Sequence, residues 1–176
     1  PAFSPAAAPG FFAKSLLLPD GDIMINGPSG PFEGASGDLV TRLQSNGSIA
    51  PVAQTFVSGS IYQLAAVDSG SVMLGGSFSK AAGLPRMAVA KLLSNGTVDP
   101  GFQPVVADPS EVRRIIPLNG GQWLLTGGFR NSGDGGGTVT YSSLSRLTPS
   151  LGLDPDFVPP SVSSISGPLV TAEAPD

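Results

Sequence analysis

The sequence predicts an all-β protein made of β-propeller-type blades, each with four antiparallel strands, in an incomplete ring. Glycine and proline supply 24 and 18 of the 176 residues and are spread between short apolar runs. No stretch carries a sustained helical stripe of apolar residues. This composition favours frequent turns and short strands. An internal repeat of about 50 residues, with four short strand candidates in each copy, has the spacing typical of a propeller blade.

The repeat becomes visible when the chain is aligned with itself. Segments 17–27, 66–76 and 117–127 each read as an apolar run, a tight turn, a second apolar run and small residues, at offsets of 49 and 51. Further along, every copy carries a basic residue followed by leucine, and the second and third copies then close on Asp-Pro-x-Phe. This pattern predicts about three tandem copies.

We expect three whole copies flanked by two incomplete ones. The whole copies span 12–60, 61–111 and 112–166, and parts of neighbouring copies span 1–11 and 167–176. Because both ends of the chain fall inside a copy, we expect a fragment of a longer array.

The second copy serves to place the strands of a blade. Four strands are expected there, at 61–67, 71–78, 87–93 and 98–105. The turn at Asn95-Gly96 is expected to have positive φ at both residues, as this dipeptide favours. A solenoid fits the spacing less well, since its rungs repeat at roughly 20–30 residues.

An incomplete ring has consequences for association. Propellers need at least ~4 blades to close, so three blades leave two terminal faces rich in apolar side chains. Soluble monomers rarely expose large apolar patches, and terminal repeats normally need caps. We therefore expect the segment to associate with further repeats of its parent chain, with copies of itself as a homo-oligomer, or with a capping partner.

The composition removes most catalytic chemistries. The chain has no histidine and no cysteine, so it lacks the commonest general base, thiol nucleophiles and Cys/His zinc sites. The net charge of −4 argues against nucleic-acid binding, and no apolar stretch approaches the ~20 residues of a membrane span. We expect no catalytic residues, no cofactor and no bound metal.

The basic residue that recurs in every copy has two possible roles. Arg42, Lys91 and Arg146 are aligned, and Asp99 and Asp154 follow the latter two across a hairpin turn. A charge between packed sheets needs a partner, and repetition in every copy is typical of a scaffold. We expect salt bridges or hydrogen-bond clamps at these structural repeat positions; the alternative is a ring of ligand-binding cations.

Tyr62, Arg113 and Arg114 interrupt the apolar pattern of the first strand. In a propeller this strand lines the central channel, so these three are the ligand-contact candidates; the alternative is ordinary solvent-facing positions.

Two other segments suggest cation binding at first sight. The stretch 131–137 holds a single acid, whereas calcium needs six to eight oxygens, and we expect a flexible loop tip. Asp20 and Asp22 are expected to shape a turn.

The pattern of Asp-Gly, apolar run, Gly-Gly-x-Phe, Arg/Lys-Leu and Asn-Gly-x-x-Asp-Pro-x-Phe resembles the delta-60 repeat family of bacterial proteins. The resemblance covers essentially the whole chain and is strongest in the second and third copies. The first copy departs from it at Pro28-Ser29 and at Ala50. The resemblance implies a propeller-like fold in large secreted or cell-surface proteins and carries over no active-site residues.

Three functions follow as expectations. The first is a non-enzymatic structural or adhesion scaffold of a secreted or surface-anchored bacterial protein. The second is a propeller that recognises a glycan or peptide through its loops or channel. The third is a fragment of a carbohydrate-active enzyme with its catalytic blades elsewhere, which would need two acids about 5–10 Å apart.

Overall fold

The computed structural model describes residues 14–32, 35–68, 70–103, 109–132 and 139–159. This part of the chain is all-β, as predicted, and its strand pairings are antiparallel. A three-residue 3₁₀ helix at Asn119–Gly121 is its only helix. The predicted incomplete copies at 1–11 and 167–176, and most of the glycine-rich loop, lie outside the described residues.

The described strands form two sheets. Their bounds are β1 Lys14–Leu17, β2 Ile23–Phe32, β3 Ala35–Leu43, β4 Ile49–Ala66, β5 Val72–Ala81, β6 Leu84–Pro85, β7 Val89–Leu92, β8 Pro109–Pro117, β9 Trp123–Ser132 and β10 Val139–Leu147. The first sheet has the order β1-β2-β3-β4-β5-β6, with β7 also paired to β5, and the second has the order β10-β9-β8.

The long strand β4 joins the first copy to the second. Its beginning pairs with β3, with Phe56 opposite Leu39, and its end pairs with β5, with Leu64 opposite Leu74. The change of partner occurs around Gly59, where φ is 132° and an added Cβ would lie 2.2 Å from a backbone oxygen. Only glycine fits there. The expected boundary at residue 60 therefore falls inside a continuous strand.

Two hairpin turns recur at aligned positions. Each is closed by an N–H that donates to the carbonyl four residues ahead, over 2.8–2.9 Å. The first turn has the pairs Leu18–Asp22, Val67–Ser71 and Leu118–Gln122, and the second has Gln44–Ser48, Leu93–Thr97 and Thr148–Gly152. The same local sequence pattern thus produces the same backbone hydrogen bonds three times.

The expected conformation of the Asn95-Gly96 turn is wrong. Gly96 has a φ of 82°, but Asn95 is not among the residues with positive φ. The Asn95 carboxamide instead accepts a hydrogen bond from the N–H of Thr97 at 3.0 Å. This is a three-residue loop in which one glycine takes the left-handed position. In the third copy Leu151 occupies that position, with a φ of 65°.

The fourth strand of the second copy is much shorter than predicted. Over the described residues of 98–105, only Val98 pairs, in a single bridge to Leu92. The third copy shows the same single bridge between Leu147 and Leu153. The proline that follows two residues later has no N–H to donate to a ladder, and the Asp-Pro turn bends the chain away. The loop after β5 also contains the short strand β6, which was not predicted.

The apolar side chains gather in two cores, one on each side of β5. Val72 and Leu74 are fully buried in the first core, and Met73 between them is fully buried in the second. Successive side chains of a strand point to opposite faces, so this part of the sheet is covered on both sides. Burial of each such side chain contributes about 1.5–3 kcal/mol, which makes the two-sided packing the main source of stability.

The members of the cores come from neighbouring copies. The first core holds Leu18, Met24, Val40, Val57, Ile61, Leu64, Val72, Leu74, Phe78, Ala81, Ala90, Leu92 and Val98. The second holds Ala65, Met73, Ala88, Val89, Phe102, Val112, Ile115, Trp123, Leu125 and Leu147.

Candidate functional site

The recurring basic residue and the Asp of the Asp-Pro turn lie side by side in two copies. Lys91 Nζ is 3.3 Å from Asp99 Oδ2, and Arg146 Nε is 2.7 Å from Asp154 Oδ2. In both pairs the aspartate N–H also donates to the carbonyl of the basic residue, at 2.8 and 2.9 Å. The other oxygen, Oδ1, accepts the backbone N–H two residues ahead, at 2.9 and 3.0 Å. One carboxylate thus binds a cation and shapes a turn.

These ion pairs are partly shielded from solvent. The Asp154 side chain is 7% exposed, and the guanidinium of Arg146 lies 4.8 Å from the ring centre of Phe157 in a cation–π contact. Burial alone would raise the pKa of Asp99, but hydrogen bonds from Gly101 N–H and from Lys91 outweigh it and hold this pKa below its ordinary value. The lowered pKa favours the ionised form of the Asp99 carboxylate.

Arg42 has different partners. Its Nε donates to Asp22 Oδ2 at 2.8 Å, and its Nη2 forms an ion pair with Asp20. Its Nη1 donates to the carbonyl of Ser94 at 2.9 Å, in a turn of the second copy. The expectation that Asp20 and Asp22 shape a turn agrees with the bond from Asp22 N–H to Asp20 Oδ1 at 3.0 Å. These acids also replace the terminal aspartate that the first copy lacks at Ala50.

Gln63 links the first strands of two copies. Its Nε2 donates to the carbonyl of Ile115 at 3.1 Å, and its Oε1 accepts the N–H of the same residue at 3.0 Å. The Gln63 side chain thereby makes the two hydrogen bonds to the β8 backbone that a neighbouring strand would otherwise make. Sequence analysis missed this residue, because a single glutamine in a strand gives no sign of a partner 52 residues away.

Arg86 is a second residue that sequence analysis missed. It is only 7% exposed, and its guanidinium donates to the carbonyls of Pro85 at 2.7 Å, Asp99 at 3.0 Å and Pro100 at 3.3 Å. Among the described residues no acceptor is found for its Nε. Backbone oxygens thus solvate a buried cation, which fastens the loop after β5 to the Asp-Pro turn. Its place at the end of a variable loop was the only available sequence signal.

Tyr62 and Arg113 occupy the same place in two copies. The ladder between β4 and β5 shifts between Ile61 and Gln63, and the ladder between β8 and β9 shifts between Val112 and Arg114. The residue inside each shift has no direct ladder partner, as in a β-bulge. Tyr62 and Arg113 are thus the extra residues of matching bulges.

These bulges also explain why glycine occupies two positions on the neighbouring strands. A Cβ on Gly76 would lie 2.0 Å from the carbonyl oxygen of Ser60, and a Cβ on Gly127 would lie 2.1 Å from that of Glu111. Such distances exclude any side chain at the existing backbone positions. The bulge geometry therefore requires glycine at aligned positions of β5 and β9.

The three ligand-contact candidates are exposed to solvent. Tyr62 is 37% exposed, the Arg113 side chain is 62% exposed, and Arg114 is exposed. Arg113 Nε donates to Glu111 Oε1 at 2.6 Å. This bond and the charge of Glu111 raise the pKa of Arg113, and Tyr62 lies near enough to add to the effect. The hydrogen bonds between Gln63 and Ile115 place the part of β4 that holds Tyr62 beside the part of β8 that holds Arg113.

Other kinds of site are not seen in the described ranges. No group of three or more His, Cys, Asp or Glu residues there could hold a metal ion. None of the helical structure in these ranges is long and apolar enough to cross a membrane.

Comparison with known proteins gives one short match. Residues 69–102 match a family model described as "Domain of unknown function (DUF5122) beta-propeller". The match supports a β-propeller-like repeat. It covers the second copy from its first turn to the Asp-Pro-Gly-Phe segment and includes both Lys91 and Asp99. No curated protein matches the chain, and no solved structure matches it.

Proposed function

We propose that the chain is a non-enzymatic scaffold module of a large secreted or cell-surface bacterial protein. In this proposal its copies at 12–60, 61–111 and 112–166 act as consecutive blades of a β-propeller that continues with further blades. The short propeller match, the resemblance to surface-protein repeats and the two-sided packing around β5 support it. The stacking of one sheet on the next is the function of the chain itself, and ligand binding is secondary.

One observation carries this proposal. In each copy a pair of apolar residues lies directly opposite across the first two strands, and in the first two copies this pair faces the next copy. The pairs are Leu16–Met24, Ala65–Met73 and Ile116–Leu124. The first pair packs in the first core and the second pair in the second core. Ile116 and Leu124 are only half-buried and belong to neither core.

The burial of aligned positions in the first two copies supports a covering partner for this face of the third copy. Met24 and Met73 are 4% and 0% exposed because the following copy covers them. Leu124 stands at the same position with an equally apolar side chain. A further sheet of the same kind, from the parent protein or from a second copy of this chain, would bury it in the same way and stabilise the array.

Sedimentation velocity of the 176-residue chain tests the proposal. We expect concentration-dependent association at micromolar concentration, and we expect Leu124→Lys to abolish it without loss of the β-rich circular dichroism spectrum. Leu17→Lys is the matched control, since Leu17 is 70% exposed and the substitution should leave association unchanged. A wild-type chain that stays monomeric up to about 100 μM would contradict the proposal.

A further inference from the structure

We propose that the chain cleaves its own backbone between Asp99 and Pro100, with the Asp99 carboxylate as nucleophile and Arg86 as the group that stabilises the oxyanion. The reaction occurs once in each molecule, within the Asp-Pro turn of the second copy. It goes beyond the scaffold role, which requires no bond to be broken.

Arg86 is a buried cation that lacks a carboxylate partner. The residue is 7% exposed, and within the described ranges it takes part in none of the ion pairs. Its Nη2 donates instead to the carbonyl oxygens of Asp99 at 3.0 Å and of Pro100 at 3.3 Å. A carbonyl oxygen carries only a partial negative charge. The cation is therefore better matched to the full charge that this oxygen acquires when its carbonyl carbon is attacked.

The backbone around Arg86 is strained. Ala82 has a φ of 48° and Ala88 a φ of 59°, a left-handed conformation that costs about 1–2 kcal/mol for a residue with a Cβ. Arg86 lies between these two residues, and no acceptor is found for its Nε in the part of the chain that the structure describes. Backbone strain and unsatisfied buried donors are both typical of functional sites.

The Asp99 carboxylate is a suitable nucleophile. Its attack on the carbonyl carbon of the same residue closes a five-membered ring, so the covalent structure already holds the reacting atoms close together. Burial raises the pKa of Asp99, but hydrogen bonds from Gly101 N–H and Lys91 outweigh it and hold the pKa below its ordinary value. The ionised, nucleophilic form therefore persists into mildly acidic solution.

The reaction amounts to hydrolysis of one peptide bond. A carboxylate oxygen of Asp99 bonds to the carbonyl carbon, and the electron pair of the C=O bond moves to the oxygen that Arg86 contacts. The intermediate collapses as the C–N bond to Pro100 breaks, and the proline nitrogen takes a proton from solvent and leaves as a secondary amine. Water then opens the cyclic anhydride to two carboxylates. Pro100 is exposed, which gives water access to the turn.

The third copy provides an internal comparison. It has the same Asp-Pro bond at Asp154-Pro155. In the described ranges the carbonyl oxygen of Asp154 accepts only the N–H of Phe157, over 3.4 Å, so no cation is placed to stabilise an oxyanion there. The two bonds thus share their local chemistry and differ in the contact that Arg86 makes.

Mass spectrometry of the folded chain during incubation at mildly acidic pH tests the proposal. We expect fragments 1–99 and 100–176 to form at least tenfold faster than cleavage at Asp154-Pro155. Arg86→Gln should remove this difference, and Arg86→Lys should retain part of it. Gln103→Ala is the matched control, since it removes a neutral donor to the carbonyl of Pro100 and should cleave as wild type.

The chain unfolded in urea provides a comparison that depends on no variant. Without the Arg86 contact, both Asp-Pro bonds should be cleaved at the same rate. Three results would overturn the proposal: equal cleavage of the two bonds in the folded chain, slower cleavage at Asp99 in the folded chain than in the unfolded one, or a wild-type rate in folded Arg86→Gln.

Discussion

The guanidinium of Arg42 donates a hydrogen bond to the carbonyl oxygen of Ser94, which is 2.9 Å away and 52 residues further along the chain. A side chain of the first copy thereby holds a hairpin turn of the second. Its aligned counterpart Lys91 forms its ion pair across its own hairpin, with Asp99. The same sequence position thus connects two copies in one case and stabilises a single turn in the other.

Arg42 should therefore matter more for stability than Lys91. We expect Arg42→Met to lower the free energy of unfolding by about 2–3 kcal/mol, since it leaves partly buried acceptors without a charged donor. Lys91→Met should cost about 1 kcal/mol. Urea unfolding followed by circular dichroism measures both, and an equal or smaller loss in Arg42→Met would show that the link between copies is unimportant.

Gln63 offers a second test of the contact between copies. Gln63→Leu removes both hydrogen bonds to Ile115, and we expect it to cost about 2 kcal/mol of unfolding free energy. Gln103→Leu, at an exposed glutamine with one local hydrogen bond of 3.1 Å, is the matched control and should change stability by less than about 0.5 kcal/mol. If the two variants unfold at the same urea concentration, the bidentate link contributes nothing.

Two glycines, Gly76 opposite a bulge and Gly83 in a turn, separate the effect of steric clash from that of backbone strain. Gly76→Ala places a methyl group 2.0 Å from a backbone oxygen, so we expect a loss of about 3 kcal/mol or more. Gly83→Ala has nothing within 4 Å but a φ of 78°, and should cost only about 1–2 kcal/mol. Thermal unfolding of both variants provides the measurement. A larger effect at Gly83 would mean that the sheet relaxes around position 76.

The clamp of the second copy should show in the pH dependence of stability. The folded pKa of Asp99 lies below its ordinary value of 3.8. Its contribution is therefore complete above that value and is lost as the pH falls towards the folded pKa. We expect Asp99→Asn to destabilise the protein by about 1 kcal/mol near pH ~6 and by much less near pH ~2.5.

Unfolding curves across this pH range give the difference between Asp99→Asn and wild type. Gln103→Ala serves as the uncharged control, and its difference from wild type should be the same at every pH. A destabilisation by Asp99→Asn that stays constant from neutral to acidic pH would rule out a role for the ionised carboxylate.

Short-range features of this protein could be read from the sequence. Glycine turns between apolar runs predicted the all-β class, and the placement of Lys91 and Asp99 on either side of one turn predicted their proximity. The short fourth strand was missed although its cause is local, since Pro100 interrupts the ladder. That the recurring pairs serve stability and not ligand contact stays a prediction.

What the amino-acid sequence alone determined is therefore the class of the fold, the positions of the hairpins and the pairs joined across one turn, because each depends on residues a few positions apart. Only the tertiary structure decided the partners of Arg42, the link from Gln63 to Ile115 and the burial of Arg86. These contacts depend on how one sheet stacks on the next. That stacking is driven by non-directional burial of apolar surface, so the pattern of a single strand cannot specify which distant polar groups it brings together.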